Sequence, residues 1–268
     1  MYIYKINLKP LIRCIIMTEV LDLYESVTLE QMKSVRLMNR IDTKFIITLP
    51  VLAKLLSLAK HEYFVQRDHL SCIMPYYTLY FDTPDCDMYL EHLRGRKRRQ
   101  KIRIRRYESS GLTFLEVKNK NNKGRTSKKR IECQHFGEGD SLQFITQHSL
   151  YPVQSLSKRL ENRFNRITLV NKQFTERLTI DIALRFHNFH TGEIRRLDDF
   201  AIVELKRDGN AHSPILEILR LLRVQPAKFS KYCMGVAFTD EHLRKNRFKE
   251  RMRLVSKMCN VTTLQSFD

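Results

Sequence analysis

The sequence predicts an α+β fold in which eight antiparallel strands form one sheet or barrel decorated by helices. Eight runs of residues are rich in β-branched, aromatic and alternating polar side chains, as half-buried strands are. Short turns such as SSG and NNKGRT join several of these runs, which favours antiparallel neighbours. No internal repeat or linker divides the chain. We therefore expect a single domain over residues 18–268, preceded by an extension of residues 1–17 outside the fold.

The predicted elements alternate along the chain. Strands are expected at 40–48, 76–82, 100–108, 113–120, 127–133, 162–170, 176–186 and 200–208. Helices are predicted from Ser, Thr, Pro and Asp signals at their starts. They are expected at 28–38, 48–59, 83–94, 141–148 and 213–223, followed by a basic C-terminal helix from about Asp240 to Met258 within 240–268.

Charge is the strongest compositional signal. The chain has 48 Lys and Arg residues against 29 Asp and Glu residues, a formal net charge of +19. Such an excess indicates a polyanionic partner. Composition alone leaves nucleic acid, an acidic membrane surface and a phosphate-rich molecule as alternatives.

The N-terminal stretch and the cysteines indicate a cytoplasmic protein. No segment approaches the roughly 20 apolar residues of a membrane-spanning helix. Lys5, Lys9 and Arg13 interrupt the apolar N-terminal residues, which argues against a signal peptide, and Met17 is a candidate start. The six cysteines show no CxxC or metal-ligand spacing, so we expect reduced and mostly buried thiols.

Five of the predicted strands carry charges on one face and apolar residues on the other. In strand 100–108, for example, Lys101, Arg103 and Arg105 alternate with Ile102 and Ile104. The charged faces comprise Arg40, Asp42 and Lys44; Lys101, Arg103 and Arg105; Glu116, Lys118 and Lys120; Arg177 and Asp181; and Glu204 and Lys206.

Like charges on adjacent strands repel each other unless an anion lies among them. Arg and Lys make short, charge-assisted hydrogen bonds to phosphate oxygens, so a phosphate chain would stabilise such a face. The few acids would either pair with the bases or hold Mg²⁺ or Mn²⁺ on the phosphates. A solvated outer face is the alternative interpretation of each strand taken alone.

An ordered set of motifs resembles a known family. RIDTKFIIT, YYTLYFDTPD, KIRIRRY, LEVKNK, NRFNR, RLTID, VELK and KFSKY follow one another from about Arg40 to Val236. The set is similar to the VTC domain of polyphosphate polymerases, within the triphosphate tunnel metalloenzymes or CYTH-like superfamily. The resemblance implies an eight-stranded antiparallel tunnel with a charged interior that binds a triphosphate and a divalent metal. It also implies transfer of the γ-phosphate of ATP to a growing polyphosphate.

The resemblance assigns roles residue by residue. It implies that Arg103, Arg105, Lys118 and Arg177 are catalytic and that Glu204 binds Mn²⁺ or Mg²⁺. The phosphate-binding bases carried over are Lys44, Arg166, Lys228 and Lys231, the last two being expected on one face of a short helix at a tunnel mouth. On the same charged faces, Arg40, Lys101, Lys120 and Lys206 are further phosphate-binding candidates, and Asp42, Glu116 and Asp181 are further metal candidates.

One motif departs from the superfamily pattern. The usual Glu-x-Glu-x-Lys reads Arg40-Ile41-Asp42-Thr43-Lys44 here. The loss of the first Glu favours the polymerase-like branch over the triphosphate hydrolases, because it weakens metal-assisted activation of water. The sequence also lacks the SPX domain and the membrane helices of the vacuolar polymerase complexes.

Two other functions stay open at this point. One is a triphosphate hydrolase of the same fold. The other is a noncatalytic nucleic-acid-binding module, although the basic strands interleave Ile and Val instead of the aromatics that stack on bases. No G-x-S-x-G, P-loop or Rossmann glycine pattern occurs, so a nucleotide would be bound through its phosphates.

Overall fold

A computed structural model of the chain describes residues 17–34, 40–68, 71–133, 135–209 and 211–259. Eight long antiparallel strands form one sheet in which each strand is hydrogen-bonded to the next. In path order they are β2 (Arg40–Thr48), β11 (Phe200–Asp208), β9 (Glu176–Asn188), β8 (Ser157–Asn171), β4 (Met74–Asp82), β5 (Arg99–Tyr107), β6 (Thr113–Lys120) and β7 (Thr126–Glu132).

These eight strands are the eight that the sequence predicts, so the predicted α+β class with its antiparallel sheet is confirmed. Three short strands were not predicted: β1 (Ser26–Val27), β3 (Tyr63–Gln66) and β10 (Ile194–Leu197). β10 pairs antiparallel with the C-terminal end of β9, β3 pairs antiparallel with the C-terminal end of β8, and β1 runs parallel to β3.

The sheet curls into an incomplete barrel. Its end strands, β2 and β7, are not hydrogen-bonded to each other in the described part of the chain, so the predicted barrel is open along one side. The curvature nevertheless brings β2 near β5, because the short segment 227–230 hydrogen-bonds Lys44 of β2 through the Ala227 amide and Lys101 of β5 through Ser230 Oγ. Residues 226–227 follow the free edge of β2, where the Ala227 amide donates to the Lys44 carbonyl at 2.7 Å.

Apolar residues on the outer face of the sheet hold the helices. Phe45, Val203 and Leu205 belong to a buried cluster with α1 (Leu49–Ala59) and α4 (Pro214–Leu221). Ile102 and Val117 belong to a second cluster that includes α3 (Gly139–His148). The same alternation that buries these residues turns the charged members of each strand to the opposite face.

The remaining helices differ in places from the prediction. Helix α2 (Asp87–Arg94) ends as predicted at Gly95, which takes the left-handed φ of +72° that glycine tolerates. Thr28 and Gln31 form the expected capping contacts, followed by a 3₁₀ turn, Gln31–Ser34. Residues 35–38 of that predicted helix lie outside the described residues. The C-terminal helix is shorter than predicted, since α6 spans only Lys249–Met258.

One helix lies buried against the sheet. Almost every residue of α5 (Lys231–Thr239) is buried, and α5 packs against β8 and β9. A Cβ on Gly235 would lie 2.5 Å from side-chain atoms of both Leu160 and Phe186, so the close approach requires glycine. Helix α5 therefore packs directly on β8 and β9.

The helix prediction for KFSKY was wrong in one respect. Lys228 and Lys231 do not share a helical face, because α5 begins only at Lys231. Ser230 is its N-cap and accepts a hydrogen bond from the Cys233 amide at 3.2 Å. Lys228 precedes the helix and is exposed.

None of the helices within the described ranges is long and apolar enough to span a bilayer. The five cysteines that the structure describes are free, and four of them are buried. The extension 1–17, the candidate start and the cytoplasmic location stay predictions.

Candidate functional site

Charged side chains from seven strands and from α5 meet on the inner face of the sheet. Cross-strand partners share a face in an antiparallel sheet, and the register pairs Glu204 with Lys44 and Lys206 with Arg177. The described residues bring together ten bases and three acids, which we call the cage: Lys44, Lys101, Arg103, Arg105, Lys118, Lys128, Arg166, Arg177, Lys206 and Lys231, with Glu116, Asp181 and Glu204.

Glu116 holds two bases on one side of the cage. Its carboxylate is only 1% exposed and lies 2.6 Å from Arg103 Nη2 and 2.5 Å from Lys128 Nζ. Burial alone would raise the pKa of Glu116. The charges of Arg103, Arg105 and Lys128 outweigh burial and lower that pKa to about 2. Glu116 is therefore an anion at neutral pH and fixes the direction of Arg103.

Asp181 has the same role on the opposite side. Arg166 donates two hydrogen bonds to Asp181, from Nε to Oδ1 at 2.6 Å and from Nη2 to Oδ2 at 2.8 Å. Lys231, at the start of α5, also contacts Oδ2. Although burial would raise the pKa of Asp181, these two bases hold it below its usual range. Both carboxylate oxygens are thus occupied by protein donors.

Glu204 is held less firmly. Lys44 Nζ lies 3.3 Å from Oε1 and Lys206 Nζ lies 2.9 Å from Oε2. Its side chain is 20% exposed, against 2% for Asp181. Burial would raise the pKa of Glu204, but Lys206 and Lys44 lower it well below its usual value. Flexible lysines, instead of an arginine fork, are its partners.

Arg105 is a buried base that contacts no acid directly within the described part of the chain, although Glu116 lies near enough for the two charges to interact. It is 9% exposed, its Nε has no hydrogen-bond partner, and it forms no ion pair within the described ranges. Its Cζ lies 5.8 Å from the centroid of the Tyr76 ring, in a cation–π contact. Burial, together with the charges of Arg103 and Arg166, lowers the pKa of Arg105. Beside it on β4, the hydroxyl of Thr78 is also buried without a partner.

Lys101 is a second base that contacts only neutral groups. Its Nζ donates to Ser230 Oγ at 2.9 Å and lies 3.4 Å from His92 Nε2. Burial and the nearby charge of Lys101 lower the pKa of His92 to about 3, so the ring is neutral at physiological pH. Burial also lowers the pKa of Lys101 itself.

Three cage lysines, Lys118, Lys128 and Lys231, have pKa values lowered toward neutrality. Lys118 reaches solvent inside the open barrel, yet the surrounding protein and the charges of Lys101 and Lys44 lower its pKa to about 8. Burial likewise lowers the pKa of Lys231 to about 8, although Asp181 opposes the shift. Such shifts are what an excess of like charge in a confined space produces. The like charges of the cage repel one another, so the cage favours an anion.

The sequence matches the VTC domain over residues 39–240, which is most of the chain. The chain belongs to the VTC domain family. This confirms the resemblance that the motifs carry. No curated protein matches the chain.

Solved structures resemble the VTC domain only distantly. A candidate adenylate cyclase from Bacillus halodurans is 15% identical with a TM-score of 0.47, over 72% of this chain and 96% of the other. One from Vibrio parahaemolyticus is 12% identical with a TM-score of 0.44, over 75% and 99%. A candidate adenylyl cyclase from Hippeastrum with a dominant triphosphatase activity is 14% identical with a TM-score of 0.44, over 75% and 96%. At these scores the similarities carry no functional weight.

The VTC domain places most of the predicted site residues together. Arg103, Arg105, Lys118, Arg177, Lys44, Lys101, Arg166, Lys206, Lys231 and the acids Glu116, Asp181 and Glu204 all lie in the cage. Lys120 lies one step beyond it on β6, and Asp42 is exposed beside Lys206. Lys228 is outside the cage, and the side chain of Arg40 lies outside the described residues. The catalytic and ligand roles of these residues stay predictions.

The sequence analysis did not identify two residues of this site, Lys128 in the cage and Tyr80 beside it. Lys128 on β7 contacts Glu116. Lys128, Lys129 and Arg130 are consecutive bases, so charged and apolar residues do not alternate there and the sequence does not show which face Lys128 occupies. Tyr80 lies beside the cage, with its hydroxyl 3.4 Å from Arg103 Nη1. The position of Tyr80 directly opposite Arg103 follows from the β4–β5 register, which the sequence does not fix.

The cage fits a divalent ion that arrives with phosphates better than a preformed metal site. Within the described ranges no group of three or more His, Cys, Asp or Glu side chains could hold an ion. Each of the three acids contacts two bases, but both bases of Glu204 are lysines, whereas Glu116 and Asp181 each contact an arginine as well. Mg²⁺ commonly uses one or two carboxylates and completes its shell with substrate phosphates and water. Glu204 is the residue that could serve in this way.

Proposed function

We propose that this VTC domain is an ATP-dependent phosphotransferase that extends polyphosphate. The cage would bind the triphosphate of ATP together with the end of a polyphosphate chain. The buried side chain of Arg105 carries this proposal, because its Nε has no hydrogen-bond partner and it forms no ion pair within the described ranges, and a charged group is rarely buried without an anion. Planar guanidinium donors match phosphate oxygens better than any other side chain does.

The paired arginines would bind phosphate with the donors that their acids leave free. Glu116 engages Nε and Nη2 of Arg103, and Asp181 engages Nε and Nη2 of Arg166. Nη1 of Arg166 can therefore point to a ligand, as can the one Nη1 hydrogen of Arg103 that does not face the Tyr80 hydroxyl. The acids therefore orient the guanidinium groups without neutralising the cage. Lys44, Lys118 and Lys231 would add compact positive charge around the same ligand.

Phosphoryl transfer requires mainly positioning and charge neutralisation from the protein. The bond between the γ-phosphorus and the oxygen bridging to the β-phosphate would break, and ADP would leave with the electron pair. A terminal oxygen of polyphosphate would form the new bond to the γ-phosphorus. A divalent ion held by Glu204 would supply further neutralisation of the phosphate oxygens.

The state of the acids favours transfer over hydrolysis. Water needs a general base, and good general bases have pKa values near the working pH. The pKa values of Glu116, Asp181 and Glu204 are all lowered by adjacent bases, so these carboxylates accept protons poorly. A polyphosphate acceptor is already ionised and needs no base.

Nucleic acid binding is less well supported. Stacking platforms for bases are solvent-exposed aromatic rings. Tyr76, the ring nearest Arg105, is itself stacked on Phe164 at 5.2 Å between centroids and is not free to receive a base.

The test is the product formed from ATP and Mn²⁺. We expect long-chain polyphosphate on a gel, absent with Arg105→Ala. The matched control is Arg106→Ala, since Arg106 is the next residue of β5 but is exposed on the other face. Free orthophosphate as the sole product would assign a hydrolase instead. Equal polymer yields from the wild type and from Arg105→Ala would refute the proposed site.

A further inference from the structure

A second basic surface lies outside the cage. Two adjoining cavities of about 780 and 720 Å³ share Arg98, Asn122 and Leu150 in their walls. We call their basic lining the outer groove: Arg96, Lys97, Arg98, Lys120, Lys123 and Arg125.

The outer groove has uncompensated charge. Glu91 is the only acid in the walls of the two cavities. No ion pair engages any of the six bases within the described ranges, whereas most cage arginines and lysines contact an acid. The groove is also concave, which distinguishes it from scattered lysines on a convex surface. Both features are expected of a site for an extended anion.

The outer groove continues the charged row of the cage. Lys120 follows Lys118 two residues along β6, on the same face, and pairs across the sheet with Arg99. Same-face neighbours on a strand are about 7 Å apart. The β6–β7 turn then presents Lys123 and Arg125, so bases follow one another from inside the barrel to its exterior.

We infer that the outer groove binds the part of a polyphosphate chain that extends beyond the cage. This inference rests on the proposed function, because it takes the occupant of the cage to be the end of that chain. A continuous row of bases at short intervals suits a polymer with a charge on every unit. Tyr151 is the only aromatic side chain in the walls of the two cavities, so a single-stranded nucleic acid would find little stacking there.

The test compares a short and a long ligand on one variant. The double variant Lys123→Glu with Arg125→Glu reverses two exposed charges at the turn. Its fold should survive, because the Arg125 amide, not its side chain, bonds Asn121 Oδ1 at 2.9 Å. We expect the affinity for long-chain polyphosphate to fall about tenfold, since two exposed charge contacts are lost and reversed. The affinity for tripolyphosphate, which the proposed function assigns to the cage, should stay unchanged.

The matched control is Lys54→Glu with Arg220→Glu, the same charge change at exposed positions on α1 and α4. It should leave both affinities unchanged. An equal long-chain affinity for the wild type and the groove variant would overturn the inference, as would an equal loss for both ligands. Stronger competition by single-stranded RNA than by polyphosphate would overturn it as well. Failure of wild-type protein to bind tripolyphosphate would instead refute the cage function.

Discussion

Glu204 and Lys44 face each other across β11 and β2, with Oε1 of the carboxylate 3.3 Å from Nζ. This is the longest of the acid–base contacts in the cage, and the Glu204 side chain is the most exposed of its three acids. Lys206 contacts the other oxygen at 2.9 Å. Exchange of these ammonium groups for a divalent ion requires only that two flexible side chains turn toward an incoming phosphate.

Glu204→Gln should therefore separate binding from turnover. Loss of the carboxylate frees Lys44 and Lys206, so the affinity for tripolyphosphate should stay equal or rise. ATP-dependent polyphosphate synthesis should fall about 100-fold or more, because the amide cannot hold the ion. Calorimetry and the gel assay measure the two effects. Glu241→Gln, at an exposed position, is the control. Turnover that survives in Glu204→Gln would remove this residue from the site.

Glu116→Gln should weaken the empty protein. The substitution leaves Arg103 and Lys128 without their shared anion in a largely buried place. We expect the free energy of unfolding to fall by about 2 kcal/mol, less than for a fully buried pair because Lys128 is partly exposed.

Urea denaturation with and without tripolyphosphate checks the Glu116 prediction. The ligand should stabilise the variant more than the wild type, since it replaces the missing negative charge. Glu108→Gln is the control, because its ion pair with Arg163 is exposed and should contribute less than about 1 kcal/mol. A Glu116 variant as stable as the wild type would show that the cage tolerates its own charge.

Arg105→Met should have the opposite effect on stability. It replaces an unpaired buried guanidinium by an apolar side chain of similar length, so the free energy of unfolding should rise by about 1 kcal/mol. Triphosphate binding should be lost in the same variant. Arg106→Met should change stability by less than about 0.5 kcal/mol. A destabilised Arg105→Met protein would mean that the guanidinium has a structural partner.

Much of the sheet was predictable because period-2 alternation is a local signal. Strands such as β5 carry it over nine residues, with Ile102 and Ile104 opposite the bases. The charged face of each strand followed from the same pattern. The convergence of those faces did not, because curvature depends on twist and on pairing between strands far apart in sequence, such as β2 with β11.

Other features have no local signal at all. Helix α5 is buried on nearly every side, so it lacks the amphipathic period that reveals a surface helix. Ala183 takes a φ of +52° beside the register shift between β8 and β9. The local sequence does not predict this conformation, which alanine rarely adopts. Ion pairs such as that of Lys231 with Asp181 join α5 to β9. They could not be predicted without knowing the positions of both elements.

Gly235→Ala should test the packing of α5. The added methyl would press on Leu160 and Phe186, two buried side chains, so something must shift. We expect the free energy of unfolding to fall by about 1–3 kcal/mol, although alanine is the better helix former. Urea denaturation measures the change. An unchanged or increased stability would show that α5 is not seated this closely on the sheet.

The affinity for a nonhydrolysable ATP analogue should fall as the pH rises above 8. Lys118 and Lys231, like the Lys128 that contacts Glu116, have pKa values of about 8 when no ligand is bound, and a bound anion raises them. Below pH 8 both ammonium groups are already charged, so binding takes up few protons. Above it, binding must protonate each lysine, and the affinity should fall by up to about tenfold per pH unit for each one. The terminal phosphate is already ionised in this range and does not oppose the trend.

Calorimetry in buffers of different ionisation enthalpy measures the proton uptake, which Lys118→Met should reduce and Lys54→Met should not. An affinity that is constant or rises with pH would mean that the anion does not reach these two lysines.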